Sequence, residues 1–160
     1  MNTIKIGNQE WMAENLSITD DGLGKDHWKN PKNGEVYYTQ EAAKRLAKKV
    51  EGFHLPSSEE WNQLADSCGC YCPKEKKQCV NRNYYNIDKL REELRIKLEG
   101  WYAPNPGKAI GCGSFATFWT SSETNENKAC YRYLGDEDFD YFKYCYDAKC
   151  KFFSVRLVKD

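Results

Sequence analysis

The last third of the chain most narrows what it can fold into. Three runs, ACYRYL (129–134), FDYFKYCY (139–146) and KFFSVRLV (151–158), are dense in aromatic and β-branched residues and are separated by the turns GDED and DA. Such side chains suit a pleated, half-buried surface, so the pattern predicts an antiparallel meander. If Tyr146 pairs with Lys149 across Asp147 and Ala148, Cys145 stands opposite Cys150, close enough for a cross-strand disulfide. That register puts Phe142, Tyr144, Phe153, Val155 and Leu157 on one face, joined by Tyr131 and Tyr133, with Tyr141, Lys143, Ser154 and Arg156 on the other.

Upstream, TIKIGNQEWMAENL sets Ile4 and Ile6 before a Gly7–Asn8 turn and Trp11 and Ala13 after it, the pattern of an opening β-hairpin. Residues 17–34 are rich in turn formers and read as surface loop. In VYYTQEAAKRLAKKVEG, Thr39 suits an N-cap, Ala42, Ala43, Leu46 and Val50 share a face, and Gly52 follows the end, which predicts a helix. A second helix is signalled after Pro56 by the capping box Ser57-x-x-Glu60, with Trp61, Leu64 and Ala65 facing inward. Leu90, Leu94 and Leu98 recur every four residues before Gly100 and predict a third. From Gly100 to Ser114, dense glycine and proline predict a long irregular segment.

At 160 residues the chain suits one domain, 1–160, with a core of its own. Its 24 Lys and Arg balance 24 Asp and Glu, so there is no overall basic field to hold nucleic acid. No apolar run approaches the roughly 18 residues of a membrane span, and the opening MNTIKIGNQEW lacks the apolar stretch of a signal peptide, so membrane insertion is not expected and the compartment stays open. Eight cysteines leave three readings. An even count suits disulfides outside the cell, the C-x-C-x-C-x6-C cluster from Cys68 to Cys79 suits a structural zinc, and free thiols are the third.

Catalytic constellations are sparse. His27 and His54 are the only histidines, and His54, just before a helix, reads as a packed structural residue rather than a catalytic one. The chain lacks a G-x-S-x-G elbow, a phosphate-binding G-x-x-x-x-G-K-[ST] loop and an H-E-x-x-H pair. It is read as a non-enzyme, with no required cofactor beyond the zinc reading at Cys68–Cys79.

Four blocks, IGNQEWMAENL (6–16), GFHLPSSEEWNQL (52–64), FWTSSE (118–123) and FFSVRLVKD (152–160), resemble the Fibrobacter major paralogous domain family in content and order. The likeness spans nearly the whole chain except about 66–100, which looks like an insertion carrying the cysteine cluster. It implies an α+β, C-type lectin-like fold: paired termini, two flanking helices and a small C-terminal antiparallel sheet, with ligand display over about 115–158. Proteins of this fold include the variable proteins of diversity-generating retroelements, in which replaced adenines turn AAC or AAT codons into Asn, Tyr, Asp or Ser. The same broad fold also holds calcium-dependent lectins and formylglycine-generating oxidases. Here APNP (103–106) lacks the Glu of the lectin E-P-N motif, FWTSSE lacks a W-N-D triplet, and no cysteine pair matches the oxidase context.

Five tyrosines fall between residues 115 and 147. Tyrosine buries a large, rigid, amphipathic surface at low entropic cost, and Asp and Asn add adaptable hydrogen bonds, the vocabulary of antibody loops. The expected ligand-binding residues are Asn125, Asn127, Tyr131, Tyr133, Asp136, Asp138, Asp140, Tyr141, Lys143 and Tyr144. Their expected partner is a protein or glycan on another cell or virus. The competing reading is a structural or surface-array domain without a specific ligand.

Overall fold

A computed structural model describes residues 2–20, 25–135 and 140–160. Among these residues, twelve strands, three short α-helices and a 3-10 turn at Lys74–Lys76 make up an α+β domain dominated by sheet. The strands are β1 (Thr3–Ile6), β2 (Gln9–Met12), β3 (His27–Lys29), β4 (Val36–Tyr38), β5 (Phe53–His54), β6 (Tyr84–Tyr85), β7 (Glu99–Ala103), β8 (Lys108–Cys112), β9 (Phe115–Glu123), β10 (Lys128–Gly135), β11 (Tyr141–Ala148) and β12 (Val158–Lys159). The helices are α1 (Gln40–Ala47), α2 (Ser58–Ser67) and α3 (Asp88–Glu93). No helix among the described residues is long and apolar enough to cross a membrane.

The chain ends meet in a four-stranded sheet ordered β1-β2-β12-β5, where Val158 pairs with both Trp11 and His54. The opening hairpin forms across Gly7 and Asn8, and Gly7 supplies the positive φ of +59° that the tight turn needs. Six further strands form the sheet β6-β11-β10-β9-β7-β8. One face packs Ala116, Phe118, Leu134 and Phe142 against Trp61 of α2 and the apolar side chains of residues 68–96. On the opposite face Trp119 and Ala129 pack with Ala42, Ala43 and Leu46 of α1 and with Phe153, Val155 and Leu157.

Both helical caps form as read. Thr39 Oγ1 accepts the Ala42 amide at the start of α1, and Ser57 and Glu60 complete the capping box of α2. The third helix is shorter than the leucine spacing predicts. Arg95 takes the left-handed backbone (φ +52°), its amide bonds the Glu92 carbonyl, and the Ile96 amide bonds that of Arg91. This is a Schellman stop with arginine where glycine usually sits, so the sequence carries no stop signal there. Leu98 therefore packs on the core from the non-helical segment leading into β7.

Two expected loops contain strands. His27–Lys29, inside the segment read as loop, forms a ribbon with Val36–Tyr38. The Gly100–Ser114 segment, expected to be irregular, holds most of a β7–β8 hairpin, with Trp101 opposite Ile110. The stretch read as an insertion also joins the main sheet, since β6 pairs with β11, and it places Cys68, Tyr84, Ile87, Leu90 and Leu94 in the core.

The expected three-run meander is corrected. β10 and β11 pair, but the third neighbour is β9, and KFFSVRLV leaves the sheet. Phe152 through Val158 are all buried, Ser154 and Arg156 included. A run buried on both sides cannot lie at a sheet edge with one wet face, so it threads between β4, β7 and β9 through isolated bridges at Tyr38, Tyr102 and Phe118. Cys145 consequently faces Tyr131, not Cys150, the cross-strand disulfide does not form, and all eight cysteines are free thiols.

Candidate functional site

Register decides which side chains the main sheet displays. Leu134 pairs with Phe142, Arg132 with Tyr144 and Tyr133 with Lys143 across β10 and β11, while Tyr131 pairs with Trp119 and Tyr133 with Thr117 across β10 and β9. Directly paired residues share a face, so Tyr131 and Tyr133 lie on the side opposite Phe142. This overturns the expected grouping. A shift of one residue in where the β10–β11 turn closes exchanges the two faces of the strand. Tyr141 and Lys143 lie on the side opposite Phe142, as read.

The face so assembled carries an aromatic ladder across three strands. Phe115 of β9 stacks on Tyr133 of β10 with ring centroids 5.1 Å apart, and Tyr133 stacks on Tyr141 of β11 at 5.7 Å. Lys143 Nζ lies 4.5 Å from the Tyr141 ring centroid, a cation–π contact that holds its chain along the sheet. All three residues are half-buried, so each stays partly open to solvent while its ring is stacked.

Beside the ladder runs a groove of about 220 Å³ lined by Phe115, Thr117, Tyr133, Tyr131, Trp101, Phe153, Asp147 and Lys151. Its floor is rigid: Phe153 lies 4.5 Å from both Tyr131 and Trp119, and Lys151 Nζ caps the Trp101 ring at 5.2 Å. Asp147 and Lys151 add a carboxylate and an ammonium to a lining that is otherwise aromatic apart from Thr117. Burial raises the Tyr131 hydroxyl pKa well above the ordinary tyrosine value, reinforced by the neighbouring Cys145 thiol, so this tyrosine stays neutral and can donate a hydrogen bond.

The remaining expected residues fall elsewhere. Asn125 Oδ1 accepts the amides of Asn127 and Lys128, which closes the β9–β10 turn, and the Asn127 carbonyl accepts the Lys149 amide. Asp140 caps the entry to α3 by accepting the Ile87 amide at 2.8 Å. Tyr144 lies on the core-side face, where its hydroxyl meets Cys130 Sγ at 2.8 Å and its ring stacks with the Arg132 guanidinium. Asp136 and Asp138 lie outside the described residues. Sequence reading missed Phe115, Thr117, Trp101, Asp147 and Lys151. Alternation along FATFWT would have placed Phe115 and Thr117 on one face, whereas Trp101 and Lys151 arrive from other elements and leave no local signal.

Behind the ladder the framework is dense. Arg132 is wholly buried, with Phe142 4.9 Å from its guanidinium carbon; it donates to the carbonyls of Arg82 and Ser58 and to Asn62 Oδ1. Desolvation pulls its pKa down to about 10, yet the group remains charged at neutral pH and ties residue 82 and α2 to the sheet.

Neither histidine lines the groove. His54 is held between Glu60 and Asp160, both at 2.7 Å, and His27 bonds Asp26 and the Asp20 amide. Among the described residues no three His, Cys, Asp or Glu side chains gather as a metal-holding group. Burial pushes the Cys68 thiol up to about 11 and the Cys70 thiol up to about 12, with Glu93 and Cys68 respectively adding to it, so both are protonated at neutral pH.

The model of the Fibrobacter succinogenes major domain matches residues 4–159, nearly the whole chain. The chain belongs to the Fibrobacter succinogenes major domain family. No curated protein and no solved structure gives a significant match. In this member of the Fibrobacter succinogenes major domain family, the matched span includes all of the four-stranded sheet but Thr3, the ladder and the groove.

Proposed function

We propose that this Fibrobacter succinogenes major domain is a non-catalytic recognition module with a C-type lectin-like fold, whose binding surface is the ladder and groove face of the main sheet. One observation carries the reading: Phe115, Tyr133 and Tyr141 are stacked in register on a sheet whose opposite face is anchored by buried Phe118, Leu134, Phe142 and Arg132. Aromatic anchors pre-ordered in this way bind without the entropic cost of immobilising free side chains. The paired termini and the two capped helices are what that fold would use as a frame.

The partner is a protein or glycan on the surface of another cell or of a virus. Because framework and display side chains are separate, the displayed residues tolerate exchange, the property a retroelement-diversified variable protein requires. Tyr131, Tyr133, Tyr141 and Asn127 are residue types that adenine replacement in AAC or AAT codons yields.

Labelled protein applied to glycan arrays and to intact cells, with and without protease treatment of the cells, tests the reading. Tyr133→Ser combined with Tyr141→Ser should abolish saturable binding while circular dichroism and melting stay close to the parent. Protease sensitivity would assign a protein ligand and array signals a glycan. Unchanged binding by the double variant would overturn the assignment of this face. At the nucleotide level, a nearby reverse transcriptase and a near-copy of the 3′ coding end differing only at adenines would establish diversification; mismatches spread over all four bases would exclude it.

A further inference from the structure

A second, polar cavity of about 350 Å³ lies away from the ladder, lined by the segment after β2 (Glu14, Asn15), the turn before β4 (Glu35), the exit of α3 (Arg95, Lys97) and Arg156. None of these residues lines the aromatic groove. The cavity brings three cations together. Arg156 is 2% exposed, and its donors are mostly committed: Nε to Asn15 Oδ1 at 2.8 Å, and Nη1 to the carbonyls of Leu94 at 2.6 Å and Met12 at 3.2 Å. Its Nη2 has no hydrogen-bond partner among the described residues, and no carboxylate forms an ion pair with it.

Arg95 and Lys97 are exposed at the mouth, and neither joins an ion pair among the described residues. The left-handed backbone of Arg95, which ends α3, sets this side chain beside the cavity. Two acids share the lining, Glu14 exposed at the rim and Glu35 further in; Asn15 Nδ2 donates to Glu35 Oε1 at 2.6 Å and Ser154 Oγ at 3.5 Å, so its hydrogen bonds come from neutral donors. The Arg156 guanidinium hydrogen-bonds only neutral acceptors; Glu35 and Glu14 act on it through space without an ion pair, so their fields offset only part of the desolvation that pulls its pKa down to about 10. A planar guanidinium edge flanked by two exposed cations is the arrangement that takes up carboxylate or phosphate oxygens.

We propose that this cavity binds a small molecule carrying a compact oxyanion, which Arg156 Nη2 contacts from within while Arg95 and Lys97 close on it from the rim. The volume lies within the range of small-molecule sites, about 300–1,000 Å³, and exceeds what an oxyanion alone fills, which leaves room for the group that bears it. Carboxylate and phosphate share the required chemistry. The site is independent of the ladder face, so either can fail without the other.

The test is a titration of the ¹⁵N-labelled full chain with inorganic phosphate, with acetate and with chloride at matched ionic strength, reading the Asn15 side-chain amide and the Arg156 Nε–H resonance. Saturable shifts of these two signals with phosphate or acetate, absent with chloride, are expected, and the tighter of the two names the oxyanion. Arg95→Gln combined with Lys97→Gln, both exposed and so safe for folding, should weaken the binding about tenfold at unchanged melting temperature. Tyr133→Ser with Tyr141→Ser should leave it intact. Shifts that follow chloride equally, that appear only at surface lysines elsewhere, or that survive the Arg95 and Lys97 exchange unchanged would each overturn the proposal.

Discussion

Single residues carry much of what this domain can tolerate. Gly100 is the sharpest case: its φ is +62°, and a β-carbon there would stand 1.8 Å from the Ile110 carbonyl oxygen and 2.8 Å from its carbon. Both obstacles are backbone of the paired strand β8, which cannot yield without breaking the hairpin. Gly100→Ala should therefore lower stability by at least about 2 kcal/mol in urea unfolding, beyond what a positive φ alone costs. Gly34→Ala, where φ is also positive but nothing lies within 4 Å, should cost about 1 kcal/mol. Equal losses at the two sites would show that the hairpin does not close over Gly100. From sequence, Gly100 reads as the end of a helix, because a glycine after an apolar run is equally the mark of a helix end and of a close strand crossing.

At the scale of elements, the joint between the terminal sheet and α2 responds to pH. Burial alone would lower the His54 pKa, but hydrogen bonds to Asp160 and Glu60 and the fields of those carboxylates outweigh it and raise the value. A raised folded pKa means that the charged state is favoured in the native form. The contribution to stability is complete below the unfolded histidine value of about 6.5 and disappears as pH climbs through the higher folded value. Melting temperatures of the parent and of His54→Asn should thus differ most at about pH 5.5 and converge toward about pH 9. A gap that widens with rising pH would refute the arrangement. Helix starts were legible at this scale because caps are local chemistry: Thr39, Ser57 and Glu60 act on amides three residues away. The end of α3 was not, since arginine in place of glycine carries no signal.

For the whole molecule, the cysteines give a global readout. All eight are free thiols, so alkylation under denaturing, non-reducing conditions should add eight mass increments, and melting should be insensitive to reductant. Fewer increments would show that bridges form. The chain's own periodicities and caps determined the opening hairpin, two helix starts and the aromatic character of the C-terminal strands, because each rests on contacts within a few residues. Only the tertiary structure decided that KFFSVRLV runs buried through the interior, that Tyr131 and Tyr133 turn away from Phe142, and that Arg95, Lys97 and Arg156 line one cavity. Register, strand order and the meeting of distant side chains depend on which apolar faces cover one another, and that competition is settled by the whole chain at once.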